Sequence, residues 1–172
     1  MKKIAVISMG VKLDNEKGYS RFRYIGDFLS DAGYQVDLIT TTFQHWEKAQ
    51  RNLDEIKKED YKFNLKFIYE PGYKKNIDLR RIRSHRIAAK KLRQLLEKEG
   101  DYDLIYCEIP PNDVALAAAE YAQKKGIPFV PDVNDLWPEA MHMVLDIPVI
   151  SDILFYPLLR DAEKVYSLVS GI

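Results

Sequence analysis

The sequence has only one cysteine and no net charge, and each shortage excludes a class of protein. Cys107 has no second thiol in the chain with which to form a disulfide, so we expect a small buried side chain in a reducing cytoplasm. Because 26 basic residues balance 26 acidic ones, no overall field draws the chain to nucleic acid. We therefore expect no nucleic-acid partner, and electrostatic contacts must depend on local patches.

Long hydrophobic runs and the common phosphate-binding motifs are also missing. No apolar run approaches the roughly 20 residues that span a bilayer, and the run at residues 4–7 is shorter than the core of a secretory signal. Neither G-x-G-x-x-G nor G-x-x-x-x-G-K-[ST] occurs, which argues against tight nucleotide binding by this chain alone. No metal-ligand spacing and no nucleophile triad is recognisable, so we predict neither a metal nor a cofactor.

What the sequence does contain is a regular alternation of short apolar runs with helical patterns. The apolar runs are residues 4–9, 35–41, 65–69, 104–109 and 128–133. Runs that are apolar on both faces are typical of parallel strands covered by helices. The pattern predicts an α/β fold, a Rossmann-like doubly wound parallel sheet with helices on both faces, formed by a single domain over residues 1–172.

Several helices have readable ends. Ser20 can cap a helix that runs to Asp31, with Gly33 as its stop and Phe22, Ile25, Phe28 and Leu29 on its inner face. Asn112 or Asp113 starts another helix, which Gly126 ends. Residues 43–60 are polar and rich in helix formers, and we expect a helix or a partly mobile excursion there.

A basic segment spans residues 73–93, with nine cations and one acid. An apolar stripe predicts an amphipathic helix, and His85 on that stripe is expected to be a buried structural residue. The first turn would lie at the cleft edge, where it could bind an acceptor diphosphate or an anionic membrane surface. The residues predicted for this role are Arg80, Arg81 and Arg83. A solvated basic face is the open alternative.

Ligands of doubly wound sheets bind beyond the carboxyl ends of the strands, where the strand order reverses. Three strand ends offer polar groups there, and we expect them to form a cleft. The predicted substrate-binding residues are Gly10, Gly18, Arg21, Glu108, Trp137 and His142, with Asp135 and Glu139 as the catalytic pair. For the glycines, a purely structural role in leaving the strand stays open.

The segment from Asp135 to Glu139 is the most distinctive in the sequence. An acid, a tryptophan and a second acid on a strand-to-helix turn make a plausible sugar platform, because aromatic rings stack on sugar C–H faces and carboxylates accept bonds from hydroxyls. Pro138 would open the following helix. The alternative is that Trp137 belongs to the core and Asp135 only caps a helix.

The string Asp-Leu-Trp-Pro-Glu at residues 135–139, together with residues 2–8, 31–40 and 102–106, resembles a known family. These pieces are similar to the N-terminal, acceptor-side domain of GT-B fold, family 4 retaining glycosyltransferases. The string itself resembles a subgroup that builds bacterial capsule, O-antigen (lipopolysaccharide) and exopolysaccharide. The resemblance implies transfer of a sugar from a nucleotide-diphosphate sugar to a polyprenyl-diphosphate-linked or glycan acceptor.

The same resemblance implies a division of labour between two domains. Donor binding belongs to a C-terminal domain absent from these 172 residues, so we expect this chain alone to be inactive. Within it, Asp135 and Glu139 would orient hydroxyls, and Gly10 and Gly18 would lie near the donor phosphates. The chain departs from the family after its first strand, where residues 11–18 replace several adjacent glycines.

Two other functions are compatible with the sequence. Half of a nucleotide-sugar 2-epimerase would use Glu108 and Asp135 as acid and base, and a flavodoxin-like binding module would be complete at residue 172. Residues 151–170 form an apolar helical pattern interrupted by Pro157, and no strand follows before Gly171 and Ile172. We take this as a truncation in or after the last helix. We also expect a cytoplasmic protein, with peripheral contact at the inner face of the membrane.

Overall fold

The fold is a five-stranded parallel sheet with helices on both faces, as the alternating pattern predicts. The computed structural model describes residues 1–14, 16–76, 78–137, 139–143, 147 and 149–169. The sheet strands are β1 (Lys3–Ile7), β2 (Gln35–Thr41), β5 (Asn64–Ile68), β6 (Leu104–Ile109) and β7 (Phe129–Val133). Their order is β5-β2-β1-β6-β7 with every pairing parallel, so the strand order reverses between β1 and β6.

The helices are α1 (Arg21–Asp31), α2 (Leu79–Glu99), α3 (Asn112–Lys125), α4 (Glu139–His142) and α5 (Ile150–Ser167). Alternate residues of β1 enter two separate cores, Val6 on the side of α1 and Ile7 on the side of α2 and α3. Cys107 faces the second core and is fully buried, which raises the pKa of its thiol. Helices therefore cover both faces of the sheet, and the predicted fold class is confirmed.

Helix α1 begins one residue after Ser20, whose side chain makes no capping hydrogen bond. Phe22 is buried as expected, but the prediction for Phe28 is wrong, because this ring is 62% exposed. Gly26 occupies the inner face instead, and an added Cβ there would lie 2.8 Å from the Phe63 ring. Because Gly26 has no side chain, α1 can pack closely against the Phe63 ring.

The helix that was one of the two expectations for residues 43–60 does not form. The segment forms a short antiparallel hairpin, from β3 (Phe43–Gln44) and β4 (Ala49–Gln50), followed by two single 3-10 turns. Arg51 anchors this hairpin: its buried guanidinium donates to the carboxylate of Glu16 and to the backbone carbonyls of Val11 and Thr41. Tertiary hydrogen bonds thus override the helix propensity of the segment.

Three expectations about the chain end and the motif fall wholly or partly outside the described residues. These are the role of Pro138 as a helix opener, the helical pattern at Ser170, and the chain end at Gly171 and Ile172. The described part of α5 carries Pro157 inside the helix, as the sequence indicated. No helix in the described ranges is both long enough and apolar enough to cross a membrane.

Candidate functional site

A cavity of about 440 Å³ opens at the carboxyl ends of the strands, at the point where the strand order reverses between β1 and β6. One wall comes from the loops after β1, β6 and β7, and the opposite wall comes from the hairpin, the loop after β5 and the start of α2. Its polar lining includes Arg21, His45, Glu70, Tyr73, Arg81, His85, Glu108, Asn134 and Asp135. Tyr19, Trp46, Phe43, Pro110 and Pro111 add apolar surface.

Glu108 is held at the switch point by three donors. The Ser8 hydroxyl donates to its Oε2 at 2.7 Å, the Gly10 amide donates to the same oxygen at 3.2 Å, and the Asn134 amide donates to Oε1 at 3.1 Å. Burial raises the pKa of the Glu108 carboxyl, although these bonds partly oppose the shift. The carboxyl is thus fixed in place and lines the cavity as a hydrogen-bond acceptor.

Asn134 links Glu108 to Arg21. The Arg21 guanidinium donates to Asn134 Oδ1 at 2.9 Å and pairs with the buried carboxylate of Asp132 at 2.8 Å. Tyr106 donates its hydroxyl proton to the same carboxylate. These contacts hold Arg21 at the cavity edge. The charge of this predicted substrate-binding residue is therefore already paired with the Asp132 carboxylate.

The hairpin supplies aromatic rings that sequence reasoning did not assign to the site. Trp46 packs edge-on against Tyr19 with ring centroids 5.0 Å apart, and against His45 at 5.2 Å. Tyr73, from the loop after β5, packs against Phe43 at 5.0 Å. No local pattern in the sequence indicates this wall, because the rings meet only after the hairpin folds over the end of the sheet.

The three arginines predicted at the start of α2 separate in the structure. Arg81 lines the cavity, and its guanidinium lies 4.5 Å from the ring centroid of Trp137 and 5.3 Å from that of Tyr73. Its Nε is buried without a hydrogen-bond partner among the described residues. Arg80 and Arg83 are exposed and do not line the cavity. The structure therefore does not bring the three arginines together in one site.

The Asp135 to Glu139 segment divides in the same way. Asp135 is exposed and lines the cavity, whereas Trp137 is only 7% exposed and does not line it. The Trp137 ring stacks on His85, with centroids 6.0 Å apart, and contacts Arg81. This burial contradicts the prediction that the Trp137 ring is an open platform for a sugar. The ring instead supports the Arg81 side chain from behind. His85 is buried as predicted, yet it also reaches the cavity wall.

Three other predicted residues lie away from the cavity lining. Gly18 has φ of +118°, and an added Cβ would lie 2.3 Å from Trp46 Cδ1, so this glycine is required by the backbone turn beneath Trp46. His142 lies 3.9 Å from the Asp152 carboxylate and packs on Phe155 of α5. Glu139 is exposed in the first turn of α4. Gly10 does line the cavity, beside Glu108.

The half-buried imidazole of His45 should make stability depend on pH. Burial, Lys48 and Arg81 lower the pKa of His45 to about 4, against about 6.5 for an unfolded histidine. Between these values the unfolded chain binds the proton and the folded chain does not, so stability falls as the pH drops. We expect a loss of about 2 kcal/mol between pH 8 and pH 5 from this residue.

Urea unfolding of the wild type and of His45→Gln at both pH values measures this contribution as the difference between the two pH dependences. His142→Gln, at a more exposed histidine outside the cavity, is the control and should leave the wild-type dependence nearly intact. Equal pH dependences in wild type and His45→Gln would contradict the expectation.

The parallel sheet and the cavity at its switch point define a Rossmann-like domain. No protein-family model matches the sequence, and no curated protein matches it. Apo UGT2 from Phytolacca americana aligns over the whole chain, with a TM-score of 0.54 and 12% identity, and the chain covers 45% of that protein. The C-terminal domain of a Pyrococcus furiosus hydrogenase aligns over 76% of this chain and 90% of its own, with a TM-score of 0.52 and 22% identity. At these identities the likeness establishes a shared GT-B-like Rossmann fold.

Proposed function

We propose that this chain is the acceptor-side domain of a glycosyltransferase, which holds a sugar acceptor while a nucleotide-diphosphate sugar, bound mainly by a second domain, supplies the transferred residue. The observation that carries the proposal is the cavity between β1 and β6, where aromatic rings face carboxylates. Such a pairing suits sugars, which present C–H faces to rings and hydroxyls to carboxylates. The alignment of the whole chain with part of UGT2 supports the same class of protein.

The charges of the lining favour a neutral polyhydroxylated ligand in the cavity. Its carboxylates are those of Glu70, Glu108 and Asp135, against the cations Arg21 and Arg81. Arg21 is already paired with Asp132. A phosphate or carboxylate would meet a lining rich in acids, whereas sugar hydroxyls can donate to them.

Asp135 is the carboxylate we assign to the acceptor. It is exposed at the cavity mouth, so it can accept a hydrogen bond from an acceptor hydroxyl and hold that oxygen toward the donor. Glu108, fixed by Ser8 and Gly10, would bind a second hydroxyl deeper in the cavity. This half then positions groups and supplies no nucleophile.

Binding of sugars to the 172-residue chain tests the proposal. The probes are the methyl glycosides of glucose, galactose, mannose and N-acetylglucosamine, and the readout is the fluorescence of Trp46 in a Trp137→Phe background, since the chain has two tryptophans. We expect at least one glycoside to bind and Asp135→Asn to weaken it about tenfold, the loss expected for one hydrogen bond to a charged group.

Asp54→Asn is the matched control, because Asp54 is an exposed aspartate outside the cavity. It should leave the affinity unchanged. The proposal fails if none of the four glycosides binds. Binding by Asp135→Asn that is as tight as that of the control would contradict the role assigned to Asp135.

The finer part of the proposal concerns a lipid-linked acceptor in surface polysaccharide synthesis. Exposed Arg80 and Arg83 would then meet the acceptor diphosphate or the anionic membrane surface at the rim. The exposed apolar side chains of Ile150, Ile153 and Tyr156 on α5 would add contact with lipid.

Charge reversal of Arg80 and Arg83 together should abolish sedimentation with vesicles that contain anionic phosphatidylglycerol. Charge reversal of Lys90 and Lys91, two exposed cations farther along α2, is the matched control and should retain most binding. Wild-type chain that stays in the supernatant would contradict the membrane contact and leave the sugar site unaffected.

A further inference from the structure

The imidazole of His45 is held by one of its two nitrogens, which leaves the other for a ligand. Nδ1 lies 2.5 Å from the Tyr73 hydroxyl and 3.4 Å from the Lys48 ammonium, whose nitrogen also donates to the His45 carbonyl. The ring itself lines the cavity and is partly exposed. Among the described residues, none forms a hydrogen bond with Nε2.

The direction of the Tyr73 hydrogen bond follows from the Lys48 ammonium, which can only donate. The Lys48 nitrogen lies 3.4 Å from Nδ1 and needs a lone pair there, so the Tyr73 hydroxyl, 2.5 Å from the same nitrogen, donates its proton to Nδ1. A proton on Nδ1 would also point toward the Lys48 ammonium. Nδ1 therefore carries the lone pair, and the proton of the neutral ring resides on Nε2.

This tautomer decides what His45 can do. An Nε2–H group donates one hydrogen bond and cannot accept a proton, so His45 does not act as a base toward the cavity. The carboxyl oxygens of Glu108 and Asp135 offer the opposite capacity, since they accept hydrogen bonds from sugar hydroxyls. The lining thus presents acceptors on one side and a fixed neutral donor on the other.

We propose that His45 is a specificity-determining residue, whose Nε2–H donates to an acceptor oxygen of the bound sugar while Tyr73 and Lys48 fix its tautomer. The sugar oxygens that suit this donor are a ring oxygen, a glycosidic oxygen or the carbonyl of an N-acetyl group. The inference deepens the proposed function and rests on it. It assigns to the hairpin wall a part in choosing the sugar.

Two variants of His45 separate the nitrogens. In His45→Gln the amide nitrogen lies near the position of Nε2 and keeps a donor there, whereas in His45→Asn the shorter amide reaches only the position of Nδ1. With the methyl glycosides as probes, we expect His45→Asn to lose about tenfold in affinity and His45→Gln to stay within about threefold of wild type. His142→Gln, outside the cavity, should bind as wild type does.

The tautomer is measured without any ligand, by long-range ¹H–¹⁵N correlation of the ¹⁵N-labelled chain near neutral pH. The resonances of His45 are assigned by their loss in His45→Gln. The Nε2–H tautomer supports the proposal, and a proton on Nδ1 overturns it whether or not sugars bind. Unchanged affinity in His45→Asn overturns the role of His45 and leaves the cavity as a sugar site. Failure of every glycoside to bind the wild type overturns the proposed function, and the role of His45 with it.

Discussion

Replacing Asp37 with alanine should lower the free energy of unfolding by about 3 kcal/mol, because the change removes the centre of a buried charge cluster. The Asp37 carboxylate is 0% exposed and pairs with Lys66 at 3.0 Å and with Lys3 at 3.4 Å. It also accepts hydrogen bonds from the Tyr102 hydroxyl at 2.7 Å and from the Asn64 amide at 2.9 Å. Without the carboxylate, two ammonium groups, the buried Tyr102 hydroxyl and the more exposed Asn64 amide lose their shared partner.

The pKa of Asp37 is consistent with this role. Burial opposes ionisation, yet the hydrogen bonds from Tyr102, Asn64 and Lys66 hold the pKa below its ordinary value. Since the folded pKa is lowered, the stabilisation is present at neutral pH and is lost as the pH falls below about 4.

Urea unfolding at neutral pH measures the Asp37→Ala effect. The control is Asp31→Ala, which removes an ion pair with Lys62 in which both side chains are more than half exposed. Exposed pairs contribute little, so we expect a loss below about 1 kcal/mol for the control. Similar losses in the two variants would show that the Asp37 cluster adds no more than a surface pair.

Replacing Arg51 with methionine should cost about 3 kcal/mol and detach the hairpin that forms one wall of the cavity. The side chain of Arg51 is 2% exposed, and it reaches three segments of the chain at once. Its Nε and Nη2 donate to Glu16 at 2.7 and 3.0 Å, and Nη2 also donates to the Val11 carbonyl at 2.7 Å. Methionine fills a similar volume but removes the donor to the Val11 carbonyl and leaves the Glu16 carboxylate with the Leu13 amide in place of the guanidinium.

Two measurements test the Arg51 prediction. Urea unfolding gives the global loss, and hydrogen exchange of the residue 51 amide, which donates to the Thr42 carbonyl at 2.7 Å, reports on the hairpin. Arg93→Met is the matched control, because Arg93 pairs with Glu120 on the surface. A variant with wild-type protection at this amide would show that the hairpin holds without Arg51.

The fold was predictable because its signals are local. All five apolar runs became strands of the sheet, and the positive φ of Gly33 and Gly126 fits their predicted places after α1 and α3. The helix favoured by the composition of residues 43–60 does not form, and the reason is equally physical. Its residues favour a helix one by one, but Arg51 binds Glu16, and the hairpin follows from that long-range contact.

The candidate site was predictable only in part. Glu108, Gly10, Arg21 and Asp135 follow strand ends, and parallel strands end at one edge of the sheet, so their convergence could be expected. Trp137 and Gly18 could not be placed in this way. Whether a tryptophan faces a cleft or packs behind an arginine depends on which elements close around it.

The sequence by itself determined the class of fold and the edge of the sheet at which the cavity opens, because hydrophobic periodicity and turn residues act over a few neighbours. Only the tertiary structure decided which side chains share the cavity. His45 and Tyr73 come from separate segments, the hairpin and the loop after β5, and the contacts of Tyr73 and Lys48 with Nδ1 fix the donor that His45 offers. Such contacts depend on distances between remote residues, which no local pattern in the sequence encodes.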